Sequence, residues 1–172
     1  MKVALYLGSF NPFHKGHLDV VLTALNNFKM DKVVIVPTMQ NPWKKEEVLD
    51  IGKRCQIIFQ SCFDIWDYYE ISTIEKYLNP PYYSYATLHA LKNKYCSDEI
   101  FVLCGSDTIE EIPDWMNGEQ IIKDYDFLIV DRLKDDISST LIREKIRNGK
   151  DISNYVSPNV IKLIEDGYKY KM

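Results

Sequence analysis

The chain has 172 residues, 46% of them apolar, and carries 21 Lys plus Arg against 25 Asp plus Glu, which is the size of one domain with a core of its own. This mild acidity, with no long basic run, argues against a nucleic-acid groove, so an anionic ligand would have to be held by a local site. The apolar run from Met1 reaches Gly8 too soon for a signal-peptide core or a membrane span, and a cytosolic protein is expected.

Residues 2 to 8 read as a buried strand. Leu18, Val21, Leu22 and Leu25 then recur at helical spacing, and residues 32 to 37 form the next strand. Strand, helix and strand in this order make a βαβ unit with parallel strands. The rhythm continues with a helix over about 46 to 63, turning Ile51, Cys55, Ile58, Phe59 and Cys62 inward, a strand near 65 to 71 and a helix from Ser84. A strand at 100 to 104, an irregular stretch around Trp115, a helix over 118 to 125, a strand over 126 to 131 and a helix from Thr140 to Arg147 follow. In the last helix Ser157 is expected to cap, Pro158 to open and Gly167 to stop the element, with Val160, Ile161 and Ile164 on its apolar face. Cys55, Cys62, Cys96 and Cys104 form no CxxC pair and are read as buried free thiols, with no zinc site.

This alternation predicts an α/β protein, a single-domain Rossmann-like doubly wound parallel sheet over residues 1 to 172. Such sheets bind ligands outside the carboxyl ends of their strands. The segments following those ends are Gly8 to His17, Thr38 to Lys45, Gly105 to Asp107 and Asp131 to Arg143. In the first, Gly8 permits close backbone approach, and His14 and His17 stand three apart at a helix start, where amides and the macrodipole favour phosphate. In the last, Ser138, Ser139 and Thr140 open a helix with Arg143 one turn in. Alone that is an ordinary cap with a solvated arginine; beside the first loop it reads as a second anion site. Neither a Walker A sequence nor a GxGxxG occurs.

Gly8-Ser9-Phe10-Asn11-Pro12-Phe13-His14-Lys15-Gly16-His17, together with Ile137-Ser138-Ser139-Thr140-Leu141-Ile142-Arg143, resembles the motif pair of the HxGH nucleotidyltransferases. Four further segments make the chain similar to the nicotinate-mononucleotide adenylyltransferases of that superfamily: Asn41 to Lys45, Ser84 to Leu88, Gly105-Ser106-Asp107 with Trp115, and Val130-Asp131-Arg132. Asn11 stands where that family often has Asp, Trp43-Lys44 replaces Pro-His, and the Ser84 to Leu88 stretch is about two residues shorter than the family's run. That stretch is where the family reads the pyridine's carboxylate or amide.

The resemblance implies transfer of AMP from ATP to nicotinate or nicotinamide mononucleotide, releasing pyrophosphate, in NAD biosynthesis. His14, His17 and Arg143 would be catalytic. ATP would lie on Gly8, Ser9, Phe10, Gly105, Asp107, Ser138, Ser139 and Thr140, and the mononucleotide on Lys45, Tyr85, Thr87, Trp115 and Arg132. On residue grounds alone Trp115 is as well read as a core plug, Lys45 as part of a solvated run and Asp107 as a helix cap. Mg²⁺ is expected to arrive with ATP, and no membrane or nucleic-acid partner is expected. Chains of this family often self-associate, so the resemblance allows a homo-oligomer. The rival readings are a pantetheine-phosphate adenylyltransferase, a cytidylyltransferase, and a nucleotide-binding sensor that has lost the reaction.

Overall fold

The structure, a computed structural model, describes residues 1–39, 48–131 and 137–169. Strands β1 (Lys2–Gly8), β2 (Lys32–Pro37), β3 (Tyr69–Ile71), β4 (Glu99–Gly105) and β5 (Asp126–Val130) form one parallel sheet in the order β3-β2-β1-β4-β5. Chain order reverses at β1, so the β1/β4 junction is the topological switch point where such sheets open a crevice. The helices are α1 (Lys15–Asn26), α2 (Ile51–Ser61), α3 (Ser84–Lys94), α4 (Ser106–Glu111), α5 (Gly118–Asp124), α6 (Ser139–Arg147) and α7 (Ile161–Lys169).

Strand residues alternate between two cores, as the period of two requires. Ala4, Tyr6, Val33 and Ile35 face a core filled by Val21 and Ala24 of α1, Ile57 and Ile58 of α2, Ile142 of α6 and Ile164 of α7. Val3, Leu5, Val34 and Val36 face the other, filled by Leu88 and Leu91 of α3 and Ile121 of α5. The sheet is therefore covered on both faces, which is why its central strands read as unbroken apolar runs.

The expected α/β architecture holds, with differences inside individual elements. α2 turns Arg54, Ile57 and Ile58 inward, whereas Phe59 is half exposed and Cys55 half-buried. The apolar pattern favoured Phe59, but a guanidinium with carbonyl partners outcompetes it for the interior. Residues 63–68 form a 3₁₀ segment, so only Tyr69–Ile71 pair as a strand. A further 3₁₀ turn, Ile74–Tyr77, precedes α3, and α4 occupies part of the stretch read as irregular. Gly167 does not stop the last helix, which runs to Lys169; a Cβ there would stand 3.4 Å from Leu49, so the glycine serves close packing. Ser157 occupies the cap position without a side-chain cap bond, its carbonyl accepting from the Val160 amide. Cys62 and Cys104 are buried thiols as expected, but Cys96 is exposed.

Candidate active site

A cleft of about 1060 Å³ opens at the carboxyl ends of β1, β2, β4 and β5, its lining including Gly8, Ser9, Phe10, His14, Gly16, His17 and Thr38 from the first two strand ends. From the other side come Gly105, Asp107, Trp115, Asp131, Ser138, Ser139, Thr140 and Arg143. Its position follows from the sheet: parallel strands end together, and the loops leaving the switch point diverge to opposite faces.

The first loop is built to project its histidines. Phe10 adopts φ +46, in the left-handed region, while 3% exposed; a non-glycine residue there costs on the order of 1–2 kcal/mol and needs support from its surroundings. Edge-on contacts with Tyr6 at 5.1 Å and His17 at 5.0 Å supply it. A Cβ on Gly8 would lie 2.9 Å from the Phe10 ring, so glycine at the end of β1 is what lets the ring fold back. The His14 and His17 rings stack with centroids 3.6 Å apart. The His14 amide donates to Nδ1 of His17 at 3.2 Å, which puts the proton of a neutral His17 on Nε2. The amides at the helix start serve the fold more than expected: Lys15 N donates to the Tyr155 carbonyl and His17 N to the His14 carbonyl. His14 and His17 both line the cleft beside these engaged amides.

The second motif is fastened to the first. Ser139 Oγ donates to the Pro12 carbonyl at 2.8 Å, and Arg143 Nη1 donates to the Asn11 carbonyl at 2.6 Å. Ser138 Oγ accepts from the Leu141 amide at 3.1 Å and is the N-cap of α6. Helix geometry leaves the Ser139 and Thr140 amides no partner inside α6, so this end of the cleft presents main-chain donors, the Thr140 hydroxyl and a guanidinium together. Asn11 is tied from below, its Oδ1 accepting from the Leu49 amide at 3.1 Å and from the Tyr168 hydroxyl of α7. Burial, with the nearby Asp107 adding to it, pushes the Cys104 thiol up to about 11, so this cleft-lining group stays protonated.

Trp115 is half-buried at the cleft wall, placed by its own amide on the Ile112 carbonyl at 3.0 Å and its carbonyl under the Gly118 amide at 2.9 Å. The structure does not bring Tyr85 and Thr87 to the cleft. Tyr85 lines a separate depression with His89, Lys92 and Tyr125, and Thr87 is fully buried, its hydroxyl donating to Glu75. The cleft is lined instead by Tyr82, Tyr83 and Ser84, just before them. The displacement follows from helix phase, since α3 begins at Ser84 and turns Thr87 and Leu88 inward. Lys45 and Arg132 lie outside the described residues. Sequence reasoning placed Thr38 in a strand-end segment without giving it a role, and it passed over Met116 and Ile129 of the lining, which are 46% and 44% exposed. An apolar side chain exposed in a cleft is a signal that only coordinates reveal.

Among the described residues no group of three or more His, Cys, Asp or Glu stands together to hold a metal ion, and no helix is long and apolar enough to cross a membrane. The hydrogen-bond donors at this end of the cleft suit anionic oxygens, and Asp107 and Asp131 of its lining are carboxylates of the kind a divalent cation brought by such oxygens would meet.

Residues 5–145 match the family model described as cytidylyltransferase-like. The probable nicotinate-nucleotide adenylyltransferase of Fusobacterium nucleatum subsp. nucleatum is 35% identical over 98% of this chain and 99% of its own length. That of Flavobacterium psychrophilum is 33% identical over 99% and 100%. A crystal structure from Vibrio parahaemolyticus, named for the same activity, superposes with a TM-score of 0.81 at 25% identity, covering 99% of this chain and 96% of that one. A Plasmodium falciparum nicotinic acid mononucleotide adenylyltransferase complexed with NaAD shares the fold, with a TM-score of 0.78 at 19% identity and the same coverage.

Proposed function

We infer the reaction from one premise: this chain belongs to the cytidylyltransferase-like family and, within it, to the nicotinate-nucleotide adenylyltransferases. It transfers the AMP moiety of ATP to nicotinate mononucleotide and releases pyrophosphate, a step of NAD biosynthesis. The observation that carries this reading is the docking of the Ser138–Arg143 segment onto the histidine loop, which puts two imidazoles, helix-start amides and a guanidinium around one end of the cleft.

The mononucleotide's 5′-phosphate oxygen attacks the α-phosphorus of ATP. The bond from that phosphorus to the bridging oxygen breaks, and its electron pair leaves with pyrophosphate. The substrate brings its own nucleophile, so the chain's task is alignment of two anions and stabilisation of the charge that moves onto the leaving group. His14 is assigned to the α-phosphate. His17, whose Nε2 carries the proton, donates to the bridging and β-phosphate oxygens. Ser138, Ser139, Thr140 and Arg143 take the β- and γ-phosphates, the first two mainly through main-chain amides because their hydroxyls are engaged within the fold. Gly8, Ser9, Phe10, Gly105 and Asp107 hold the rest of ATP, and Trp115 stacks on the pyridine ring, with Lys45 and Arg132 assigned to the mononucleotide. Tyr85 and Thr87 act at one remove, through the placement of Tyr83 and Ser84.

ATP binds with a divalent cation, Mg²⁺ in this reading, which when bound neutralises charge on the triphosphate. The reaction is placed in the cytoplasm.

The test is pyrophosphate release from ATP and Mg²⁺ with nicotinate mononucleotide, nicotinamide mononucleotide or phosphopantetheine offered separately. Turnover with nicotinate mononucleotide is expected, falling by about 10²-fold or more in His17→Ala. Turnover with phosphopantetheine alone, or ATP binding without pyrophosphate release, would overturn it.

A further inference from the structure

Beneath the cleft floor lies a buried polar chain that the chemistry does not touch. Arg54 of α2 is 1% exposed, and its guanidinium donates to main-chain carbonyls: Nε to Leu49 at 2.8 Å, and Nη1 to both Ser9 and Thr38 at 2.7 Å. Glu75, also 1% exposed, comes from the 3₁₀ turn before α3. Its Oε2 accepts from the Met39 amide at 2.6 Å and its Oε1 from the Thr87 hydroxyl at 2.7 Å. The Thr38 carbonyl and the Met39 N–H belong to one peptide group. That group is therefore held at its oxygen by a buried cation and at its hydrogen by a buried anion.

Burying two charges costs several kcal/mol each, and apolar replacements of such pairs are often neutral or stabilising, so a gain in stability does not account for this arrangement. Its geometric effect is specific. Ser9 and Thr38 are the first residues beyond β1 and β2, both line the cleft, and the Thr38 amide extends the ladder to the Gly8 carbonyl at 2.9 Å. Arg54 joins the two strand ends, and Glu75 fixes the plane of the peptide that leaves β2. The β4–β5 side of the cleft carries Gly105, Asp107 and the Ser138–Arg143 anion site. The end of β1 carries Ser9, assigned above to ATP, so the end of β2, which precedes Lys45 of the proposed mononucleotide set in sequence, is the strand end that the Glu75 contact ties to the second substrate.

We propose that Arg54 and Glu75 are positioning residues that clamp the Thr38–Met39 peptide and so set the nicotinate-mononucleotide side of the cleft relative to the bound ATP. This rests on the reaction proposed above. A misplacement of about 1 Å in such a floor costs on the order of 10²-fold in rate.

Two substitutions of Glu75 separate placement from bulk. In Glu75→Gln the amide oxygen can accept from Met39 N–H while its NH₂ donates to Thr87 Oγ1, whose proton turns to the Tyr83 carbonyl already 3.4 Å away. The hydrogen bonds survive and the charge is lost. Glu75→Ala loses both. Glu75→Ala should raise KM for nicotinate mononucleotide about tenfold, the worth of a hydrogen bond to a charged group, while KM for ATP stays within about twofold. Glu75→Gln should restore the mononucleotide KM to within about threefold. Hydrogen exchange at the Met39 amide should be faster in Glu75→Ala and close to the parent in Glu75→Gln. Should Glu75→Ala not fold, Glu75→Asp serves, since a carboxylate one methylene shorter cannot reach both the Met39 amide and the Thr87 hydroxyl; the same selective KM rise is expected. Equal rises in both KM values, an unchanged mononucleotide KM in a folded variant, or failure of Glu75→Gln to rescue would overturn the proposal. If the parent protein forms no dinucleotide, the proposed reaction falls, whereas Met39 exchange still reports on the clamp.

Discussion

Arg143 donates from Nη1 to the Asn11 main-chain carbonyl at 2.6 Å, across 132 residues of chain, and from Nη2 to its own helix neighbour Thr140 at 3.3 Å. One guanidinium thus belongs to the fold and to the anion site together. Arg143→Ala should lower kcat/KM by about 10²-fold or more and also destabilise the protein by about 1 kcal/mol. Arg143→Lys keeps the charge but not the fork, and should fall between the two in rate. Steady-state kinetics and urea midpoints on both variants check this; a wild-type rate in Arg143→Lys would deny the fork a role.

The Ser139 hydroxyl on the Pro12 carbonyl and the Tyr168 hydroxyl on Asn11 Oδ1 hold the same loop from two directions. Ser139→Ala and Tyr168→Phe should each cost about 1 kcal/mol, and the double variant should depart from additivity because both act through Asn11–Pro12. Denaturation of the two single variants and the double measures it. Strict additivity would indicate that the loop is not one unit.

Gly118 cannot accept a side chain. A Cβ there would stand 1.9 Å from the Ile112 carbonyl oxygen, and that carbonyl also accepts the Trp115 amide. Gly118→Ala should destabilise by about 3 kcal/mol, the upper range for overpacking against a backbone, and should weaken mononucleotide binding through displacement of Trp115. Calorimetry and KM on the same sample test both effects. A stable variant with native KM would contradict the packing.

Glu70 lies 2.6 Å from Lys94 Nζ and 3.9 Å from Lys32 Nζ. Burial pushes its carboxyl up, but the Lys94 bond and the neighbouring charges outweigh this and hold it below the ordinary value; Lys94, bonded to Glu70, is raised. A depressed acid contributes stability above its unfolded pKa of about 4.3 and loses it as pH falls through the folded value. A raised lysine contributes below its unfolded pKa of about 10.4 and loses it as pH rises through the folded value. With both side chains partly exposed, the pair is worth no more than about 1 kcal/mol. The stability difference between the parent and Glu70→Gln should therefore be present near neutral pH, shrink as pH falls below about 4.3, and shrink again as pH rises above about 10.4. A difference that is flat across acid pH would remove the ion pair as its cause.

Much of this protein was written along its chain. The unbroken apolar runs of β1, β2 and β4 required a sheet covered on both faces, and the helical spacing between them required parallel strands. The glycine, histidine and hydroxyl positions after β1 and β5 then had to fall at the carboxyl ends of the strands, where the cleft opens. Local periodicity and cap chemistry decide such features, because they depend on residues within a turn or two of one another. What they could not decide was which polar residue goes inside. Arg54 took an interior place beside a half-exposed Phe59 because the Leu49, Ser9 and Thr38 carbonyls, far apart in sequence, converge on it. Thr87 turned from the cleft to Glu75 because the phase of α3 was set by Leu88 and Leu91 packing on the sheet. Gly167 became a contact with Leu49 rather than a helix stop because α7 had to close against the loop before α2. A buried charge, a helix phase and a close backbone approach are each settled by partners that only folding brings together.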